Sequence, residues 1–446
     1  METDQATLRD SLRAVLPSVR ADLETLVRIP SVSLLPEHAA DVRRSATAVA
    51  DLFAGEGFDV RLVAIGDAAP AVLARKPAAV GRPTVLLYAH YDVQPAGDEA
   101  DWDSPPFTPT ERGERLYGRG AADDKAGIAA HLAAIRAHGD QLAVGVTVFI
   151  EGEEESGSET LAWLLEQHHD DLRADVIVIA DSTNWAVGAP ALTTSLRGVF
   201  DFYVEVRTLD HPLHSGMWGG VAPDALMVLT RLLASLHDER GNVAVDGLVS
   251  GPAPDLVYDE TRLRREGGIL DGVDLIGDGS TVERLWMRPA LTVIGLDAVR
   301  TAEASNTLAP SAKAMISVRL VPGDDPARAF AAVREHLERH VPWGAQLTIT
   351  PGYPPGRPVQ IDATGPAFDA ARTAFAEAWD GADLLHIGSG GSIPIVDDFA
   401  RAFPDAAILV TGVEDPDTRA HSPNEGLHLA EWKRVCLAET LLLHHL

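Results

Sequence analysis

Five short segments carry acidic or histidine side chains in a pattern suited to one dinuclear metal site: YAHYDVQP (88–95), GRGAADDKAG (118–127), EGEEESGS (151–158), VIADSTNW (178–185) and RAHSPNE (419–425). Three of them close an apolar run. That is where the strands of an open parallel sheet end, and such sheets hold ligands just beyond the carboxyl ends of their strands. His90 and Asp92 stand two apart and share a side of the chain, so His90 is a candidate ligand and Asp92 a residue that orients its imidazole. Asp123 and Asp124 precede a helix. Adjacent side chains diverge, so one can cap the helix, which aspartate does well, while the other meets a metal.

The glutamate run places four carboxylates within residues 151–155, and these repel one another unless cations neutralise them. A run of glutamates usually marks a solvated helix face. Here it follows the apolar VFI and precedes a Ser-Gly-Ser turn, which fits a strand end better. Asp181 ends its own strand in the same way, and His421 lies in a polar loop able to reach the same mouth. Oxygen and imidazole donors suit Zn(II), Mn(II) or Co(II) and exclude iron–sulfur chemistry. Two metals sharing a carboxylate lower the pKa of bound water and polarise a carbonyl, which is hydrolytic machinery.

The elements that must hold these groups follow from periodicity. Residues 6–28 and 40–55 read as amphipathic helices. TVLLYAH (84–90), GVTVFIEG (145–152), DVIVIADS (175–182) and AAILVTG (406–412) read as buried strands. Helices at 125–139 and 158–168 lie between the first three strands, the pattern of a parallel sheet with crossover helices. After Trp185 the texture changes. Strands at 198–208, 290–297, 312–320 and 345–351 and helices at 222–238 and 326–340 give a β-α-β-β-α-β order, that of a ferredoxin-like α+β sandwich. The fold expected is therefore α/β, with a mostly parallel sheet flanked by helices in residues 1–187 and 355–446. The second domain, 188–354, is inserted into the first.

Composition narrows the partners. The chain has 446 residues, too many for one ordinary core, and 66 acidic against 37 basic residues for a net charge of −29. So acidic a surface disfavours nucleic acid and anionic membranes. Cys436 is the sole cysteine, which leaves no disulfide and no thiolate metal site. The N-terminus lacks the features of a signal peptide, and no apolar run approaches the roughly 18–20 residues that span a bilayer. A cytoplasmic location is expected. No G-x-G-x-x-G or Walker sequence follows the first strand, which removes support for a nucleotide-binding reading.

Taken together, the motifs resemble the dinuclear zinc metallopeptidase family of aminoacylase, carnosinase, cytosolic nonspecific dipeptidase and succinyl-diaminopimelate desuccinylase, most nearly its dipeptidase branch. The likeness covers nearly the whole chain, with the motifs in order. Ala126 departs from the glycine usual at its position. The resemblance implies a phosphorylase/hydrolase-like catalytic domain and makes the inserted domain a lid and dimerisation domain. It implies two divalent ions per subunit, zinc with manganese or cobalt as alternatives, held by His90, Asp181, Glu155 and His421 with Asp123 bridging. Glu154 would be the general base, beside Asp92. His214, in HPLHSGMWGG, would reach a partner's site in a homodimer and stabilise the oxyanion. Arg319, Asn306, Thr307, Gly391 and Ser392 would contact substrate. The implied activity is hydrolysis of dipeptides or short peptides by a metal-bridging water. N-acyl-amino-acid hydrolysis, including desuccinylation, is the alternative, and a noncatalytic metal-dependent scaffold is a reading from another class. Glu153 and the stretch 250–289 receive no role.

Overall fold

The computed structural model describes residues 2–252, 254–391 and 393–446, with side chains from Gln5 onward. The chain forms two compact units. One comprises 1–194, 361–387 and 398–446, the other 195–360 and 388–397. The crossings fall at 194/195 and 360/361, several residues beyond the expected 187/188 and 354/355. Residues 388–397 group with the second unit, a return that no change in composition marks.

In the first unit the strands Gly145–Glu151, Thr84–His90, Val176–Ile179 and Ala407–Val410 lie side by side in that order, all parallel. Their near-continuous burial is what a sheet covered on both faces requires. Two strands that periodicity did not single out, Asp59–Val63 and Ala71–Lys76, extend one edge in antiparallel fashion. Ala191–Leu196 extends the other, pairing at Thr193 with Val410. Helices Glu2–Val27, Lys125–His138 and Leu429–His445 pack together and share one apolar core with the sheet.

Two buried polar anchors fix the helix Lys125–His138, whose start positions Asp123. Lys125 is fully buried, and its Nζ donates to the carbonyls of Leu26 and Ile29 at 2.9 and 2.8 Å. These carbonyls belong to the frayed end of the first helix, and burial lowers the Lys125 pKa to about 7. His131 faces two acceptors, Glu439 Oε1 at 2.7 Å from Nδ1 and the Tyr88 carbonyl at 3.0 Å from Nε2. Both contacts need an N–H, so the ring is held as an imidazolium beside Glu439.

The second unit is built on the sheet Ala290–Asp297, Ser311–Leu320, Gly198–Arg207, Gln346–Pro351, in that order and wholly antiparallel. Phe200, Phe202, Val204 and Val206 alternate inward against Ala312 to Leu320 on the neighbouring strand. Helices Ala225–Ala234 and Pro326–His340 close this face, each capped by an aspartate, Asp224 or Asp325, that accepts backbone N–H bonds. This is the ferredoxin-like order. The stretch 250–289, unassigned from sequence, contains the short helices Glu260–Glu266 and Thr281–Trp286.

The His131–Glu439 pair makes a pH-dependent contribution with a definite sign. Against the burial that lowers it, Glu439 raises the folded His131 pKa above 6.5. The contribution is therefore complete below about pH 6.5 and fades as pH rises through the folded value. His131→Gln is expected to cost about 3 kcal/mol near pH 6, and the gap to wild type should narrow toward pH 9. Urea unfolding of both proteins across that range checks it, and a pH-independent gap would contradict the pairing.

Candidate metal centre

The donors gather at the carboxyl ends of the parallel strands. His90 is the last residue of its strand and has no solvent exposure. Its Nε2 lies 3.2 Å from Asp123 Oδ1. On the other side of the same carboxylate, Asp123 Oδ2 lies 3.0 Å from His421 Nε2, which is also 3.3 Å from Glu155 Oε2. Two donor triplets result, His90–Asp123–Asp181 and Asp123–Glu155–His421, each with its ligand atoms within 4.8 Å of one another. Asp123 belongs to both and turns one oxygen to each. Donors around a single ion are about 3–4 Å apart, so small side-chain shifts complete either set.

Neighbouring groups orient the donors. The His90 ring turns Nδ1 toward Asp92, 3.1 Å from its carbonyl and 3.4 Å from its Oδ1. The other carboxylate oxygen of Asp92 accepts from Ser33 Oγ at 2.7 Å and from the Glu155 backbone at 3.1 Å. Gln94 donates to the Glu155 carboxylate from its backbone and its amide, at 3.1 and 2.8 Å. Asp92 thus orients a ligand from each triplet.

Asp124 does not cap by its side chain, as one of the two aspartates was expected to. It occupies the N-cap position, but its Oδ2 accepts from the His90 backbone N–H at 3.2 Å. Residue 127 must then be glycine, since a Cβ there would lie 2.3 Å from Asp124 Oδ1 and 2.9 Å from the Ala180 carbonyl. The Asp123–Asp124 peptide is cis. Glu153 points away from the donors, accepting from the Ala69 N–H at 3.1 Å and the Thr160 hydroxyl at 2.7 Å. It is an anchor of the loop.

The electrostatics show how concentrated the negative charge is. Hydrogen bonds from His421 and His90 outweigh burial and hold Asp123 below the ordinary carboxylate range. The same contacts with Asp123 and Glu155 push His421 up to about 11. Burial, joined by Asp123 and Glu155 and opposed by His90, pushes Asp181 up to about 6. Burial and then Asp181, with Glu155 and Glu151 behind it, push Glu154 well above its ordinary value. Crowded negative charge thus raises the proton affinity of imidazole and carboxyl groups alike, a demand for positive charge. Divalent cations in the N···O gaps would supply that charge, and the hard oxygen and imidazole donors fit them.

Sequence reasoning missed a second layer. Tyr88 Oη donates to Glu151 Oε1 at 2.5 Å, and burial pushes Glu151 up to about 7. Arg119 and Glu425 form a fully buried pair at 2.7 Å. Glu151 and Glu425 lie inside the quoted motifs, but only their distance from the donors separates their part from a ligand's.

The remaining expected site residues belong to the second unit. His214 pairs with Thr307 in a two-stranded ladder, and the Ser215 N–H donates to the Asn306 carbonyl at 2.8 Å, so these three are neighbours. His214 Nδ1 accepts the Gly216 N–H at 3.1 Å, which leaves Nε2 to carry the proton of the neutral ring. Arg319 pairs with Val199, on the face opposite the helices. Arg197, not singled out from sequence, lies two residues earlier on that face and donates through Nε to the Gly390 carbonyl at 3.1 Å. Burial and the like charge of Arg319 lower its pKa to about 10. Gly391 is exposed, its N–H directed at Ser389 Oγ at 3.1 Å. Ser392 lies outside the described residues.

Residues 86–444 match the model of peptidase family M20/M25/M40. The chain is 36% identical over 429 residues to a cysteinylglycine-S-conjugate dipeptidase of Corynebacterium striatum, covering 95% of this chain and 94% of that one. It is 32% identical to the Beta-Ala-His dipeptidase of Rattus norvegicus, over 80% of this chain and 76% of the relative. The crystal structure of human carnosine dipeptidase 1 superposes with a TM-score of 0.83 at 26% identity, over 99% of both chains. With its donor triplets, sheet and inserted unit in place, the chain belongs to peptidase family M20/M25/M40.

Proposed function

We propose that the protein is a metal-dependent dipeptidase whose two ions share Asp123. The observation that carries this reading is the shared carboxylate, with each oxygen facing a different histidine. His90 and Asp181 would hold one ion, and Glu155 and His421 the other. Bound there, divalent cations activate water and polarise the scissile carbonyl. Zinc is the metal proposed, with manganese or cobalt compatible with the same donors.

The chain's own groups do the rest. Glu154 sits beside Glu155 without belonging to either triplet. Its raised basicity suits a carboxylate that takes a proton from water and returns it to the leaving amine. His214, with its proton on Nε2, is suited to donate to the developing oxyanion, and in this reading it serves the partner copy of a homodimer formed through the second unit. Asn306 and Thr307 lie beside it. Arg319, with Arg197 at hand, would hold the substrate's carboxylate, and Gly391 and Ser392 its backbone. The dipeptidase names of the relatives at 36% and 32% identity support a short peptide with free ends as the substrate class. No helix among the described residues is long and apolar enough to cross a membrane, and a cytoplasmic location is proposed.

Glu154→Gln is expected to bind both ions and lose about 10³-fold or more in kcat. Metal analysis with steady-state kinetics checks it, and substantial residual turnover contradicts the role. Dipeptides should exceed acetyl-, succinyl- and carbamoyl-amino acids in kcat/KM by more than about tenfold. The reverse order would favour N-acyl-amino-acid hydrolysis at the same centre.

A further inference from the structure

Glu425 closes the RAHSPNE segment four residues after His421 and has no solvent exposure. Its carboxylate is fully engaged. Oε2 accepts from Arg119 Nη1 at 2.7 Å and the Gly120 N–H at 3.0 Å, and Oε1 from the N–H groups of Ala122 and Asp123 at 2.9 and 3.1 Å. The loop leading to Asp123 therefore wraps its amides around a side chain from the loop that carries His421. The backbone reinforces the link, with Gly118 N–H donating to the Glu425 carbonyl at 3.0 Å and Gly426 paired with Tyr117.

Arg119 extends the tie. Its Nη2 reaches the carbonyls of Ser422 and Pro95, each at 3.4 Å, and so touches the segments that follow His421 and His90–Asp92. Gly120 has φ +80, and a Cβ there would lie 2.6 Å from Val93 Cγ1. Only glycine lets this turn close on the carboxylate.

We infer that Glu425, with Arg119, is a positioning residue that sets the spacing between Asp123 and His421, and with it the affinity of the Asp123–Glu155–His421 position. The other position shares Asp123 with this clamp but takes His90 from the end of its strand, so it depends less on the spacing that the clamp sets. Every carboxylate oxygen of this buried pair has charged or amide donors, while Arg119 Nε is left without a partner. Glu425→Gln is nearly isosteric, but its amide nitrogen must face one of the two donor sets. Glu425→Asp keeps the charge and withdraws it by one methylene.

The inference rests on the dinuclear reading, and one experiment separates the two. Metal-free full-length wild type, Glu425→Gln, Glu425→Asp and Asp324→Asn are titrated with Co(II), with uptake followed by calorimetry and visible absorption. Thermal unfolding reports folding. Wild type should take up two ions. Both Glu425 variants should lose about 10–100-fold at one position and less than about threefold at the other. Excess Co(II) should recover their turnover with little change in KM for a dipeptide. Asp324→Asn, which removes the charge of a buried carboxylate in the second unit, should lower Tm while leaving both affinities intact. Should Glu425→Gln fail to fold, Glu425→Asp carries the same expectation. Two ions in wild type with unaltered affinities in the folded Glu425 variants overturn the clamp alone. So do equal losses at both positions that merely track Tm. A single ion in wild type overturns the dinuclear reading, and the clamp with it.

Discussion

Too much negative charge is packed at one end of a buried sheet, and the structure around it follows from that. Asp92, Asp123, Glu151, Glu154, Glu155 and Asp181 converge beside two imidazoles, and burial removes the water that would otherwise screen them. That charge, with burial, raises the pKa values of His421, Asp181 and Glu154. Asp123 is the pivot because both triplets need it. A carboxylate that turns one oxygen to each of two imidazoles is an arrangement suited to two divalent ions.

Holding such a cluster calls for rigid surroundings, and the first unit supplies them through buried polar contacts as well as apolar packing. Lys125 ties the helix after Asp123 to the end of the first helix, and His131 ties it to Glu439 of the last. Asp124 holds the backbone of His90, while Asp92 steadies His90 and Glu155 together. None of these supporting side chains belongs to either donor triplet. In the second unit the open sheet face carries cations instead, Arg197 and Arg319, suited to the anionic end of a peptide.

Much of this was legible in the residues. The four central strands are nearly continuous apolar runs, and the donors sit where those runs end. Alternation in 198–207 and 311–320 exposed the second sheet. The edge strands Asp59–Val63 and Ala71–Lys76 were not legible. The first is largely exposed and carries no strong alternation, and its place is fixed by pairing with its neighbour and by packing against the helix Ala39–Gly55. The return of 388–397 to the second unit is likewise a long-range matter. Spacing leaves open which of Asp123 and Asp124 caps the helix, because it cannot tell a side chain that turns to its helix from one that turns to another strand's backbone, as Asp124 does. The part played by Glu425 depends on amides of residues 120–123, which no side-chain pattern records.

The most direct test of the central claim is anomalous diffraction from crystals of the metal-loaded protein, collected at the absorption edge of the bound metal. Two peaks are expected, one on either side of the Asp123 carboxylate, the first bonded to His90 and Asp181 and the second to Glu155 and His421. A single peak, or two that share no ligand at Asp123, would contradict the account.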